Sequence, residues 1–263
     1  MRNRASNLFS LQGRIALITG GAGLLGREYA KVFLDAGATV ILFDIVESPK
    51  FKQKETLRYF KVDIVNKKLV FDAVRKISKK YGEIDVLVNN AALNPVPGSE
   101  VSKGQFAPYE DYPQELWENE LSVNLSGALF VTQAVVPFMK KQKSGSIINI
   151  SSIYGNAGPD NRLYENGKYK SIGYATTKGA VLNFTRAWAT YLRGTNIRVN
   201  TLTLGGVFAN QDQNFVKAYN EKTVLGRMAD KTDFNGAILF LASGASRYMT
   251  GANLIIDGGW TAW

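Results

Sequence analysis

An apolar run at residues 14–19 leads into Thr19-Gly20-Gly21-Ala22-Gly23-Leu24-Leu25-Gly26. A segment with helical spacing then covers 23–36 and stops at Gly37. A strand that turns on glycines straight into a helix is the opening unit of a layered β-α-β architecture. The rest of the chain keeps the rhythm. Strand patterns at 39–44, 57–62, 85–89, 146–150, 196–202 and 254–256 alternate with helical patterns at 66–81, within 113–143, at 173–193 and at 232–243. Such alternation predicts an α/β fold, a doubly wound parallel sheet of about seven strands with helices on both faces. No linker, repeat or low-complexity stretch interrupts it, so residues 1–263 read as one domain. Two connections, 91–112 and 153–172, are longer than usual. They follow strands, as does 203–222, so all three emerge at the carboxyl edge of the sheet, where doubly wound folds bind ligands.

Gly21-x-Gly23-x-x-Gly26 has the spacing of a dinucleotide-binding turn. Glycines allow the tight bend and the close approach of backbone to a pyrophosphate, and a helix N-terminus offers free N–H groups. Asp44 ends the second strand, eighteen residues after Gly26. A carboxylate there can bind both ribose hydroxyls and would repel a 2′-phosphate, which favours NAD over NADP. The expected fold is therefore a single-domain Rossmann fold. A bland alternative is that Asp44 simply starts the next loop.

Composition narrows the chemistry. The chain has no cysteine and no histidine. Disulfides, thiolate metal sites, a cysteine nucleophile and histidine bases are excluded, and no metal site is expected. Proton transfer must use tyrosine, lysine or carboxylates. The net charge is +10, with lysines clustered at 50–54, 61–68, 75–80 and 140–143. Solvated helix faces are the bland reading of these clusters, and attraction of an anionic ligand is the sharper one. No motif supports nucleic-acid binding. No apolar run approaches a membrane span, and the polar residues 1–10 do not form a signal-peptide core, so a cytoplasmic protein is expected.

Tyr174-Ala175-Thr176-Thr177-Lys178 puts a phenol and an ammonium on one helix face. A free tyrosine titrates near ~10, and a cation beside it favours the phenolate. Asn149-Ile150-Ser151-Ser152 ends a strand, and its serine can present a hydroxyl to the same substrate oxygen. With these residues, and with Asn89-Asn90-Ala91-Ala92, Leu121-Ser122-Val123-Asn124, Arg198-Val199-Asn200 and Asp257-Gly258-Gly259, the chain resembles the short-chain dehydrogenase/reductase family in its compact form. The resemblance covers nearly the whole sequence.

The resemblance implies Tyr174 as acid/base and Lys178 as the residue that holds the ribose and lowers the tyrosine pKa. It implies that Ser152 orients the substrate oxygen and that Asn124 serves a water-linked proton relay. Gly20, Gly23, Leu25 and Gly26 would cradle the cofactor, Asp63 and Ile64 would lie near the adenine, and Asn90 and Ala91 beneath the cofactor. Gly205 and Val207, with Tyr174 and Lys178, would border the nicotinamide. Leu24 replaces a glycine of the family's turn, Leu204 precedes Gly205 where proline is usual, and Ala209 stands in place of a threonine. Ser152 and Tyr174 are twenty-two residues apart, more than the family's usual spacing.

The long loops add Asn94, Tyr109, Asn161, Arg162, Tyr164 and Lys168 near the expected pocket. Decorative or oligomer-contacting loops would explain them as well. Asn94, Asn161 and Arg162 are the candidate substrate contacts, and they suit a polar, hydroxyl-rich or anionic small molecule. The turn, the 153–172 insert and Gly258-Gly259-Trp260 resemble sugar-modifying members associated with flagellin or nonulosonic-acid pathways. A 3-oxoacyl-carrier-protein reductase and a catalytically silent cofactor-binding module are the alternatives. A homotetramer or homodimer is expected, because 113–143 and 173–193 carry apolar residues on more than one face, including Val131, Val135, Phe138, Phe184, Trp188 and Tyr191. Trp260 and Trp263 are candidates for a second interface.

Overall fold

Residues 7–47, 54–95, 102, 104–164 and 167–263 are described by the structure, a computed structural model. In chain order the elements are β1 (Ile15–Thr19), α1 (Leu24–Asp35), β2 (Thr39–Asp44), β3 (Leu57–Lys61), α2 (Lys67–Tyr81), β4 (Val86–Asn89), α3 (Gln114–Leu121), α4 (Ala128–Gln142), β5 (Gly145–Ser152), α5 (Ile153–Asn156), α6 (Ile172–Tyr191), β6 (Ile197–Leu204), α7 (Gln213–Asn220), α8 (Asn235–Ala242) and β7 (Asn253–Ile256). The seven strands form one sheet in the order β3-β2-β1-β4-β5-β6-β7, and every pairing is parallel. The chain winds outward through β2 and β3, then returns to the far side of β1 with β4. A crevice opens at such a reversal, at the carboxyl ends of β1 and β4.

Alternation along the strands divides the core. Ile15, Leu17, Ile41 and Phe43 pack with α2 and α4 on one face, while Ala16, Ile18, Val40 and Leu42 pack with α1 and α8 on the other. Helix α2 shows why the local sequence obeys. The Asn66 side chain accepts from Leu69 N at 3.1 Å, Val70, Ala73, Val74 and Ile77 share the buried stripe, and Gly82 ends the helix at φ +81°. Lys67, Lys68, Lys76, Lys79 and Lys80 are exposed on that helix, as the bland reading of the charge requires.

Three features depart from the expected elements. The 203–222 connection holds a helix, α7, whose Asp212 cap accepts from Asn214 N and Phe215 N. The 232–243 helix is a 3₁₀ turn, Lys231–Phe234, with a capping box, followed by α8. Gln114–Gln142 is one continuous helix, with a π segment at Ser122–Gly127 joining α3 to α4, and it is long and apolar enough to cross a membrane. The expectation that no stretch reached that length rested on unbroken apolar runs, whereas a helix averages over its faces. Here Val131, Val135 and Met139 are fully buried against the sheet, which makes it a core helix.

A polar seam crosses the sheet interior. Asn89 Nδ2 donates to Thr132 Oγ1 (3.0 Å) and Asn149 Oδ1 (2.8 Å), Asn149 Nδ2 donates to Thr185 Oγ1 (2.9 Å), and Thr201 Oγ1 donates to Thr185 Oγ1 (2.7 Å). The amides tie β4, β5 and β6 to α4 and α6, in a register that carries Ser152 to the rim. Arg198 and Asn200 have comparable structural duties. Arg198 donates to Ser246 Oγ, Leu241 O and Ser243 O, and Asn200 bonds Met249 O and Ala252 N, fastening the segment before β7.

Candidate active site

The glycine turn sits at the reversal point and is stitched to it. Thr19 Oγ1 accepts from Asn90 N and Ala91 N at 3.1 Å each, and Asn90 Nδ2 donates to Thr19 O at 2.9 Å. Gly20 is left-handed at φ +64°, which disfavours any side chain there. A Cβ on Gly26 would lie 2.2 Å from Gly20 O, so only glycine lets α1 close on the turn. Gly23 caps α1 with no side chain bonded to the helix N-terminus, and no acidic residue lies in the first turn. The first amides and the positive end of the helix are thus left for an anion.

A cavity of about 740 Å³ runs from this turn across the strand ends. Gly20, Gly23, Leu24, Leu25, Asp44, Asp63, Ile64, Asn90, Ala91, Gly205 and Val207 line it, as do Ser152, Tyr174 and Lys178. Gly26 lies behind the turn. Asp44 is already engaged with the protein: Oδ2 accepts from Ala22 N (2.8 Å), and Oδ1 accepts from Ile45 N (2.8 Å) and Val46 N (3.3 Å). It therefore shapes the turn and also presents a carboxylate to the cavity. An open helix N-terminus, a glycine floor and an acid at the end of β2 fit a dinucleotide.

At the other end, β5 delivers Ser152 and α6 delivers Tyr174 and Lys178. Ser171 caps α6 by accepting from Tyr174 N at 2.9 Å, and Ser151 Oγ donates to Lys178 O at 2.8 Å, locking helix to strand. The Ser152 hydroxyl lies beside the Tyr174 phenol, close enough to lower its pKa. Lys178 Nζ donates to Ile150 O at 2.9 Å and lies 5.6 Å from the centre of the Tyr174 ring. Burial pushes Tyr174 up to about 12, opposed by the Ser152 hydroxyl and aided by the Glu120 charge. Burial prevails over the lowering expected from Lys178. Burial also brings Lys178 itself down to about 8. The phenol is consequently protonated at neutral pH and ready to donate.

Asn124 lies in the π segment and is buried, but it does not line the cavity. Its Oδ1 accepts from Leu93 N (2.8 Å), and its Nδ2 donates to Leu93 O (3.2 Å) and Thr177 Oγ1 (3.0 Å). The side chain anchors the start of the 91–112 connection beside α6. Asn94 does line the cavity. Asn161 and Arg162 do not. Asn161 Oδ1 accepts from Lys170 N (3.0 Å), and the exposed Arg162 is held by both oxygens of Asp160 at 2.8 Å. A local acid two residues away satisfies that guanidinium and turns it from the pocket.

Sequence reading passed over the residues that occupy this end instead. Lys170 and Tyr154 line the cavity, together with Phe215, Tyr219 and Met228 from α7 and the segment after it. Asp212 ahead of Phe215, Val216 and Tyr219 was the available cap-plus-stripe signal. Trp260 belongs to this cluster too: it stacks on Tyr219 at 4.4 Å and is buried, so it is not free for an interface between copies. Trp263 remains exposed.

A profile of the family described as "Enoyl-(Acyl carrier protein) reductase" matches residues 21–261. A 3-oxoacyl-[acyl-carrier-protein] reductase of Thermotoga maritima is 35% identical, over 95% of this chain and 98% of its own length. The post-translational flagellin modification protein A of Campylobacter coli is 34% identical, over 95% and 99%. A short chain dehydrogenase from Leptospira borgpetersenii, solved with bound NAD+, superposes with a TM-score of 0.88 at 34% identity, covering 99% of this chain and 97% of that one. Similar folds have been solved with NADP as well. With its parallel sheet, its glycine turn and its Ser152, Tyr174 and Lys178 side by side in one cavity, this chain belongs to the short-chain dehydrogenase/reductase family of oxidoreductases.

Proposed function

We propose that the protein interconverts an alcohol and a ketone on a polar, sugar-like or anionic small molecule, with NAD as the preferred cofactor. The carrying observation is the buried Tyr174 phenol, beside Ser152 and close to Lys178 in a cavity continuous with the glycine turn. A bound nicotinamide supplies or accepts the hydride. Tyr174 gives a proton to the substrate oxygen in reduction and takes it back in oxidation, and Ser152 steadies that oxygen. Lys178 borders Tyr174 and would hold the ribose, while Asn124 acts as a positioning residue through Leu93 and Thr177. Gly20, Gly23 and Leu25 would hold the pyrophosphate, Asp63 and Ile64 the adenine side, and Gly205 and Val207 the nicotinamide side. Asp44 supports NAD, because a 2′-phosphate beside it would meet a carboxylate.

The polar lining contributed by Asn94, Tyr154, Tyr164 and Lys170 supports a hydroxylated substrate. The similarity to a flagellin modification protein agrees with sugar-directed chemistry. The similarity to a 3-oxoacyl-carrier-protein reductase and the +10 charge favour a second reading, reduction of the 3-keto group of an acyl thioester borne by an acidic carrier. Turnover of NADH or NADPH on ketoses, keto sugar acids, nucleotide sugars and an acetoacetyl thioester separates the two. Preference for the thioester with NADPH would overturn the first.

We also propose a homodimer or homotetramer. Gln133, Val136, Pro137 and Lys140 of α4 and Ala187, Trp188 and Tyr191 of α6 form an outward groove, with Tyr191 66% exposed. Val131 and Val135 face the core instead, which narrows the interface expected from sequence. Nicotinamide chemistry in a chain without disulfides suits the cytoplasm.

A further inference from the structure

The 153–172 insert ends by placing one cation where the catalytic set does not require it. Lys170 directly precedes Ser171, the cap of α6, and its side chain lines the cavity although the residue is only 5% exposed. Its Nζ donates to Asn94 Oδ1 at 3.0 Å and to Pro95 O at 3.1 Å, and it lies 4.4 Å from the centre of the Tyr174 ring. Both acceptors are neutral. Among the described residues, no carboxylate lies within ion-pair distance of it.

The buried acid nearby is committed elsewhere. Glu120 is fully buried and accepts from Gln105 Nε2, Tyr112 Oη and Ser171 Oγ at 2.7–2.9 Å. An ammonium has three protons, and two of them are spent on neutral oxygens. A buried cation without a counter-ion is costly, so its retention beside a ligand cavity points to a counter-ion that arrives with the ligand. Burial brings Lys170 down to about 7, the nearby Glu120 raising it and Lys178 lowering it, and a bound anion would restore the full charge.

We propose that Lys170 is the specificity-determining residue of this site and receives a carboxylate of the substrate, which is thereby a hydroxy or keto acid of sugar-acid type. The proposal deepens the hydride-transfer reading and rests on it. The closeness of Nζ to the Tyr174 ring places the carboxylate near the reacting carbon, which suits a compact acid. Tyr154, its ring centre 5.8 Å from Nζ, and Tyr164 also line the cavity, their hydroxyls 3.3 Å apart, and under this proposal they would meet further substrate hydroxyls.

Calorimetry on the full chain saturated with NADH gives the test, with matched acid and alditol probes: L-tartrate against erythritol, and D-gluconate against D-glucitol. At least one acid should bind about tenfold or more tightly than its alditol. Lys170→Met and Lys170→Gln, the latter keeping a donor toward Asn94, should each erase that preference, leaving alditol and NADH affinities within about twofold of the original. A parent protein that binds neither acid better than its alditol overturns the proposal, as does a variant that keeps the preference. Failure of the hydride-transfer reading is seen separately, as absence of NADH consumption on any ketone or keto acid by a protein that binds NADH.

Discussion

Asp44 carries two burdens at the scale of one side chain. It accepts from Ala22 N in the glycine turn and presents charge to the cavity. Asp44→Asn removes the charge while retaining an oxygen for the turn. The ratio of kcat/KM with NAD to that with NADP should then fall by about tenfold to a hundredfold, the effect of one lost like-charge repulsion. An unchanged ratio, or a parent enzyme that prefers NADP, contradicts the assignment. The position of this residue at the cavity was legible because strand, turn, helix and strand fall in register around it. Lys170 was not. Its meaning depends on Asn94 and Pro95, more than seventy positions away, meeting it in space, and nothing local marks Lys170 above the exposed Lys168. Arg162 misled for the converse reason: a pocket-sized cation is quenched by its own neighbour, Asp160.

Among the elements, the turn between β1 and α1 leaves no room for a side chain at Gly26. Gly26→Ala would push a methyl into Gly20 O, so the turn and α1 must separate. The variant should lose about 2–4 kcal/mol of stability and most of its NADH affinity, measured by denaturant unfolding and cofactor titration. A variant as stable as its parent, with NADH binding intact, would show that the turn does not need this glycine. The strands were readable from sequence because buried parallel strands are short apolar runs. Helix α7 was not, because it is short and buries its apolar stripe against the cluster around Trp260 rather than against the sheet. The same cluster explains Trp260. A tryptophan near the end of a chain reads as an interface residue until Tyr219 is found stacked on it.

For the whole molecule, buried lysines and tyrosines set the dependence of stability on pH. Lys170 at about 7 and Lys178 at about 8 both lie below the ordinary lysine value of 10.5. Between those values the unfolded chain binds more protons than the folded one, so stability rises with pH. Tyr174, raised from 10.0 to about 12, and the other buried tyrosines act oppositely: the folded chain keeps protons that the unfolded chain releases. The cofactor-free protein should therefore have a higher denaturation midpoint at about pH 9 than at about pH 7, and lose it above about pH 10. A midpoint that falls steadily from neutral pH would contradict this balance. The α4–α6 groove adds a prediction about assembly. Light scattering should give a dimer or tetramer, and Trp188→Glu, which leaves a charge on that face, should shift the population toward the 29.0 kDa monomer. A monomeric parent protein would remove the interface from the account.

The central claim is that Tyr174 is the proton donor for hydride transfer, in a chain with no histidine to replace it. Tyr174→Phe keeps the ring that Lys170 and Lys178 approach and deletes only the hydroxyl. The decisive measurement is NADH consumption with the best carbonyl substrate, alongside NADH affinity, for the parent and this variant. The account predicts a fall in kcat of about a thousandfold or more, with NADH affinity within about threefold. Turnover near the parent rate in the folded variant would contradict it.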